Sequence, residues 1–316
     1  MGLDSSPSKS LPTMRLLNPY PNIYAYYDGR TGTRYHSDSP NWLDDGAFKL
    51  GVATYSIING TSALLYDAGI TPEHATYMLN HVKSLGATKI MLVYSHVHND
   101  HIAGASAIYP ARDRIKSVEV IAHEKTYEDL ADPLSVEEIA EEDPTFQIVL
   151  PTKTYNEEMT LQIGDEEVKL MNFDIHTPDA TVAWLPKRRL LLAGDVLEDT
   201  VTYLSPENAK VEQLRTHITE LRRLASLSGL EKVLPAHGCP KKIGGGGYDV
   251  KSFVDATIKY IEAMGEDVDE PEIWTLRLEE VVKSEVESGG LGYWDAYEAV
   301  HQENVDSVKK ARKQTG

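Results

Sequence analysis

Seven side chains of metal-ligating type stand out by their spacing. His96, His98, Asp100 and His101 fall within one short stretch directly after the apolar run Lys89–Tyr94. Neutral imidazole nitrogen and carboxylate oxygen are ligands that zinc accepts at about 2.0–2.2 Å. Residues two apart on an extended segment point the same way, so His96 and His98 can share one ion. A tight turn after them aims Asp100 and His101 at a neighbouring site. Three isolated candidates, His176, Asp195 and His237, sit at the ends of strand-like or loop segments. Singly, each reads as a satisfied polar residue or a helix cap. Added to the cluster they complete two coordination spheres. The chemistry is then that of neighbouring metal ions, which lower the pKa of a bound water.

These residues need strands to deliver them. Gly51–Ile58 and Ser62–Tyr66 are β-rich runs around Asn59-Gly60, a dipeptide that tolerates the positive φ of a hairpin turn. Thr71-Pro72-Glu73 opens a helix with a capping hydroxyl, a proline at the first helical position and an acid in the first turn, and Gly86 closes it. Asn22–Tyr27, Lys89–Tyr94, Val118–Ala122 and Lys232–Leu234 are further predicted strands. Met159–Ile163 with Glu167–Asp174, and Thr181–Leu185 with Leu190–Ala193, are predicted strand pairs. Ser205-Pro206-Glu207 is predicted to begin an amphipathic helix that buries Val211, Leu214, Ile218, Leu221 and Leu224 and ends at Gly229. Leu134–Asp143 is predicted as an acidic helical excursion, Gly244–Gly247 as a mobile loop, and about 249–313 as a mostly helical extension. Hairpins first, helices last, suggests two β-rich layers covered by helices, an α+β arrangement rather than a doubly wound parallel sheet. Residues 14–316 are read as one domain after a disordered tail, Met1–Thr13, that lacks the apolar run of a secretory signal.

The balance of 31 basic and 49 acidic residues gives a net charge of −18, which repels phosphate backbones and anionic lipid. A small-molecule substrate is expected, without nucleic acid or membrane. Lys309, Lys310, Arg312 and Lys313 are read as cations on a helix end. Cys239 is the sole cysteine, so no intrachain disulfide forms, and a reducing, cytoplasmic setting is expected. No apolar stretch reaches membrane-span length. Of the remaining histidines, His123 is read as structural, and His36, His74, His81, His217 and His301 as surface residues. The dense early aromatics (Tyr20, Tyr24, Tyr26, Tyr27, Tyr35, Trp42) suit core packing, a pocket wall or a homodimer contact.

Leu64–Gly69, Ser95–Gly104, His176-Thr177-Pro178-Asp179, Leu192–Asp195 and Ala236-His237-Gly238 occur in the order and spacing of a known family. Over about residues 50–240 the chain resembles the metallo-β-lactamase superfamily. The resemblance implies a metallo-β-lactamase αββα sandwich, two mixed β-sheets flanked by helices, with the metals at one edge. It implies that His96, His98 and His176 hold one ion, that Asp100, His101 and His237 hold the other, and that Asp195 bridges them. Asp67 would orient ligands or their loop. Two zinc ions are expected, and the donor set also tolerates iron or manganese.

Within the family, Asp195 stands where the best known dizinc β-lactamases carry cysteine. The pattern therefore looks more like dinuclear lactonases, lactamase-like hydrolases including those of filamentous fungi, and glyoxalase II-type thioesterases. Quorum-quenching lactonases tend to carry tyrosine where this chain has Glu198, with Tyr203 close by as a substitute. The implied activity is opening of a cyclic amide or ester, a lactam or lactone, by a metal-bound hydroxide that attacks the carbonyl carbon, with Asp100 passing a proton to the leaving group. A glyoxalase II-like thioesterase is the first alternative, and an iron-dependent oxidoreductase on the same fold the second. The oxidoreductase is weakened by His98, where di-iron members commonly have glutamate.

Overall fold

The computed structural model describes residues 13–34, 37–111, 114–135, 137, 146–268 and 270–315. The expected tail, Met1–Thr13, lies outside them except at Thr13, as do His36 and Tyr35; so does most of the Leu134–Asp143 excursion.

Two mixed sheets carry the fold. The first, in chain order, comprises β1 (Arg15–Tyr20), β2 (Ile23–Asp28), β3 (Val52–Asn59), β4 (Ser62–Tyr66), β5 (Lys89–Val93), β6 (Ser117–His123) and β7 (Lys153–Tyr155). It is antiparallel from β1 to β4 and parallel from β4 to β7. The second comprises β8 (Glu158–Ile163), β9 (Glu166–Asn172), β10 (Thr181–Leu185), β11 (Leu190–Gly194), β12 (Lys232–Pro235) and β13 (Tyr248–Asp249), with β11 and β12 parallel and the other pairs antiparallel.

Alternation along each strand assigns the layers. Ala53, Tyr55 and Ile57 of β3, Leu64 and Tyr66 of β4, Ala183 and Leu185 of β10, and Leu190 and Leu192 of β11 meet in the core between the sheets. The intervening residues face outward. Ala63 and Leu65 pack with Ala75, Met78 and Val82 of the helix Pro72–Ser84. Val182, Trp184, Leu191 and Ala193 pack with residues of the helices Val211–Ala225, Val250–Met264 and Tyr297–Thr315. The result is the αββα sandwich expected from the sequence.

Local chemistry sets several boundaries. Thr71 accepts the His74 N–H at 3.2 Å, and Gly86 turns at φ +96° beyond the end of that helix. Asp249 accepts from the Lys251 and Ser252 N–H groups at 3.1 and 3.3 Å to start Val250–Met264. Asn59-Gly60 makes the expected hairpin, with Asn59 paired to Ser62.

Other expectations need correction. β1 was not anticipated, because Asn18-Pro19 breaks its apolar pattern. The helix expected from Ser205 starts at Val211, since Ser205 Oγ accepts the Asn208 N–H in a separate turn, and Val211 itself is exposed. Gly247 is packed against β12, where a β-carbon would lie 2.3 Å from the Val233 carbonyl oxygen. His74, His217 and His301 are buried rather than exposed, on the inner faces of their helices. No described helix is long and apolar enough to cross a membrane.

Candidate metal centre

One edge of the sandwich gathers the ends of four strands. β4 runs into Asp67, β5 into Ser95–His101, β11 into Asp195 and β12 into His237. His176 lies between β9 and β10. Because β4 with β5, and β11 with β12, are parallel pairs, their C-terminal ends open on the same side.

All seven sequence-predicted ligand residues meet there. His96, His98, His176 and Asp195 each present a ligand atom, all within 4.8 Å of one another, and so do Asp100, His101 and His237. His98 Nδ1 lies 3.0 Å from His96 Nε2 and 3.1 Å from His176 Nε2. Asp195 Oδ2 lies 3.7 Å from His96 Nε2, 3.6 Å from His176 Nε2, 3.2 Å from His101 Nε2 and 3.4 Å from His237 Nε2. Asp100 Oδ2 lies 3.2 Å from His237 Nε2 and 3.6 Å from His101 Nε2. All of these residues are buried except His98, which is half-buried.

Partners behind the ligands decide which nitrogen faces inward. Asp67 accepts the Ser95 N–H through Oδ1 at 2.7 Å and faces His101 Nδ1 through Oδ2 at 2.9 Å. A carboxylate only accepts, so His101 Nδ1 carries a proton and Nε2 is directed into the site. Asp67 does this from a left-handed backbone, φ +69°, a conformation a non-glycine residue keeps only when its surroundings demand it. The Gly51 carbonyl accepts from His237 Nδ1 at 2.7 Å with the same consequence. His96 Nδ1 pairs with Ser95 Oγ at 2.9 Å. His176 is also left-handed, φ +67°, and its carbonyl accepts from Asn208 Nδ2.

The electrostatics match a cation site. Burial pushes the His96 imidazole well below its usual range, helped by His101 and His98, and takes His176 down to about 3 against the pull of Asp195. These two rings are neutral at physiological pH, as ligation requires. Burial opposes charge on His101 and His237 as well, yet Asp195 and Asp100 raise both well above the ordinary value. Despite burial, His101 and His237 hold Asp195 well below the usual carboxylate range, and Asp100 at about 2. The buried carboxylates thus demand positive charge beside them, which a divalent ion supplies in place of imidazolium protons. Three imidazole nitrogens converging at His98 cannot all be satisfied by one shared proton, and His101 Nε2 and Asp195 Oδ1 have no hydrogen-bond partner among the described residues. The donor set therefore fits metal ions.

The other residues of interest also find places. Glu198 is buried, 3.7 Å from His176 Nδ1, and burial with Asp195 pushes its carboxyl up to about 8. The half-buried Tyr203 ring stands edge-on to His176 at 6.4 Å between centroids. His123 is structural, as expected: its Nδ1 accepts the Lys125 N–H at the start of helix Glu124–Ala131, and its Nε2 meets the Asn156 carbonyl at 2.6 Å. Cys239 is a half-buried free thiol. Sequence reasoning gave no site role to Gly51, Ser95 or Asn208. Only Ser95, adjacent to the first ligand, carried any signal, because backbone acceptors and distant partners leave none.

The model of the metallo-β-lactamase superfamily matches residues 48–282, which include the whole ligand set. The chain belongs to the metallo-β-lactamase superfamily. Among solved structures it is similar to a metallo-β-lactamase from Pontibacter korlensis, at 18% identity and a TM-score of 0.56, over 79% of this chain and 99% of that one. It is equally similar to the DIM-1 metallo-β-lactamase, at 18% identity and a TM-score of 0.56, over 79% and 98% of the two chains. For a metallo-β-lactamase from Hirschia baltica the identity is 14% and the TM-score 0.51, over 74% and 95%. At such identities the likeness is one of fold. A search of curated proteins found no match. The protein is thus a hydrolase of this superfamily with a His/Asp cluster that could bind metal.

Proposed function

We propose that this protein opens a cyclic amide or ester, a lactam or lactone, by metal-dependent hydrolysis. The observation that carries the reading is Asp195 Oδ2, within 3.2–3.7 Å of four imidazole nitrogens from both ligand groups. A carboxylate so placed suits a bridge between two ions, with His96, His98 and His176 on one and Asp100, His101 and His237 on the other. Zinc is the metal we favour, since the donors are imidazole and carboxylate alone. Bound divalent ions would supply a water acidified towards neutrality and an electrophile for the carbonyl oxygen.

The chain's own groups do the rest. Asp67, Ser95 and the Gly51 carbonyl fix three rings, so that little reorganisation accompanies the reaction. Asp100 is the second carboxylate of the cluster and would hold a single ion. Its ionised form can take a proton from the nucleophile and pass it to the leaving nitrogen or oxygen as the ring opens. Tyr203 stands edge-on beside His176. Residues 14–316 act, in this reading, as one catalytic domain in the cytoplasm.

The test is proton release by zinc-loaded protein on an acyl-homoserine lactone, a benzoxazolinone, a β-lactam and lactoylglutathione. Chelator-sensitive turnover of a lactone or lactam is expected. Turnover of the thioester alone would replace this reading with a glyoxalase II-like one. Silence across the panel from protein holding two metals would overturn the ring-opening assignment.

A further inference from the structure

The loop that follows Asp195 is held from the far end of the chain. Glu198 Oε1 accepts the Tyr203 N–H at 3.1 Å, and Oε2 accepts the hydroxyl of the fully buried Tyr297 at 3.2 Å. The next residue, Asp199, accepts the Gly292 N–H through Oδ1 and the Tyr248 hydroxyl through Oδ2. Asn304 accepts the Leu204 N–H at 2.7 Å and donates to the Thr202 carbonyl at 2.9 Å. Contact is close throughout: a β-carbon on Gly292 would lie 2.5 Å from Asp199 Oδ2. Thr200, at φ +85°, holds a strained backbone in the middle of this clamp. Gly292, Tyr297 and Asn304 all lie beyond residues 48–282, the extent of the family match.

The clamp ends at an imidazole nitrogen that lacks a partner among the described residues. His96, His101 and His237 each have Nδ1 engaged, by Ser95, Asp67 and the Gly51 carbonyl. His98 is reversed and turns Nδ1 into the site. His176 Nδ1 has no hydrogen-bond partner among the described residues, and the carboxylate facing it is Glu198, whose Oε1 stands 3.7 Å away. Closure by a few tenths of an ångström makes that contact a hydrogen bond.

We infer that Glu198 is the positioning residue for His176, and that Tyr297 of the C-terminal helix sets Glu198, so that a segment outside the family match helps build one half of the metal centre. The inference rests on the metal-centre reading above. In it, His176 Nδ1–H donates to Glu198, which orients the ring and leaves the Nε2 lone pair directed at the ion. The Tyr297 hydroxyl and the Tyr203 N–H hold the two carboxyl oxygens and stop the side chain from turning away.

Stepwise cobalt(II) titration of the metal-free protein against a competing chelator, followed by visible absorption, tests this without substrate. Glu198→Ala is expected to weaken one binding step by about 10–100-fold and to leave the other unchanged. Tyr297→Phe should weaken the same step by less, since Glu198 keeps its Tyr203 contact. Glu198→Gln keeps an acceptor oxygen and should restore most of the loss. Both steps unchanged in Glu198→Ala, or both weakened equally together with a lower Tm, would overturn the inference. If Glu198→Ala does not fold, unchanged steps in Tyr297→Phe overturn it. His98→Ala separates the two levels. Wild-type binding in that variant removes the metal-centre reading itself, whereas loss of one step there, with both retained in the Glu198 and Tyr297 variants, removes only this inference.

Discussion

His101 and His237 enter the site with their outer nitrogens held by the Asp67 carboxylate and the Gly51 carbonyl, acceptors that cannot donate. On the other side His176 sits on a strained backbone with its outer nitrogen unpaired among the described residues, 3.7 Å from Glu198. The first arrangement is supplied by strand ends and backbone within the sandwich, and is rigid because the sheets are. The second is supplied by a loop that depends on a helix about a hundred residues away in sequence. Two ligand groups of nearly the same chemistry thus differ in how their geometry is maintained. In one the outer nitrogens are held from within the sandwich, and in the other His176 faces a residue held by buried contacts from beyond residue 282.

The largest expected effect breaks both groups together. Asp195→Ala removes the oxygen that faces all four Nε2 atoms, and should lower hydrolysis by about 10³-fold or more. Metal content should fall too; elemental analysis and the turnover panel check this, and near-normal values in both would contradict a shared carboxylate. Next, Asp67→Ala strikes His101 directly. It leaves the Ser95 N–H buried and unpaired and the His101 Nδ1 proton with only Ser95 Oγ at 3.4 Å, at a cost of about 3 kcal/mol in stability and about 10–100-fold in affinity for one ion. Denaturant melts with metal titration would show both losses. A variant that loses stability alone would mean that the Asp67 bond does not orient the ring.

Gly104→Ala probes the same group by packing. Its β-carbon would lie 2.3 Å from the Ala68 carbonyl and 2.7 Å from the Ala75 side chain, beneath the ligand loop. A loss of about 1–3 kcal/mol is expected, with weaker binding at Asp100/His101/His237. The smallest effect concerns a histidine outside the centre. His217 is buried with neither ring nitrogen hydrogen-bonded among the described residues, and burial takes it down to about 4. The folded state therefore refuses a proton that the unfolded chain binds below about pH 6.5, so stability falls as pH drops from there to about 4. His217→Leu should flatten that acid limb, by at most about 3 kcal/mol across the interval, and leave metal binding untouched. An unchanged limb in melts recorded between those pH values would reject this account.

The seven candidate ligands that gather in the structure were legible in the sequence because coordination chemistry restricts residue types, and because His96 to His101 lie on one continuous turn. The strands that deliver them were legible through alternation and through Asn59-Gly60 and Thr71-Pro72. β1 was not, because Pro19 interrupts its pattern, and neither was the start of the helix at Val211, where Ser205 caps a turn instead. The burial of His74 and His217 also escaped notice, since one imidazole on a helix face reads the same whether that face meets water or a neighbour.

Residue type, local spacing and period determined from the sequence which atoms could bind metal and which segments could be strands or helices. Which nitrogen each histidine presents, which carboxylate lies between the two ligand groups, and how the C-terminal helix reaches Glu198 were decided only by the tertiary structure. Those are distances between groups tens to a hundred residues apart, set by sheet pairing and helix packing, and no local pattern encodes them.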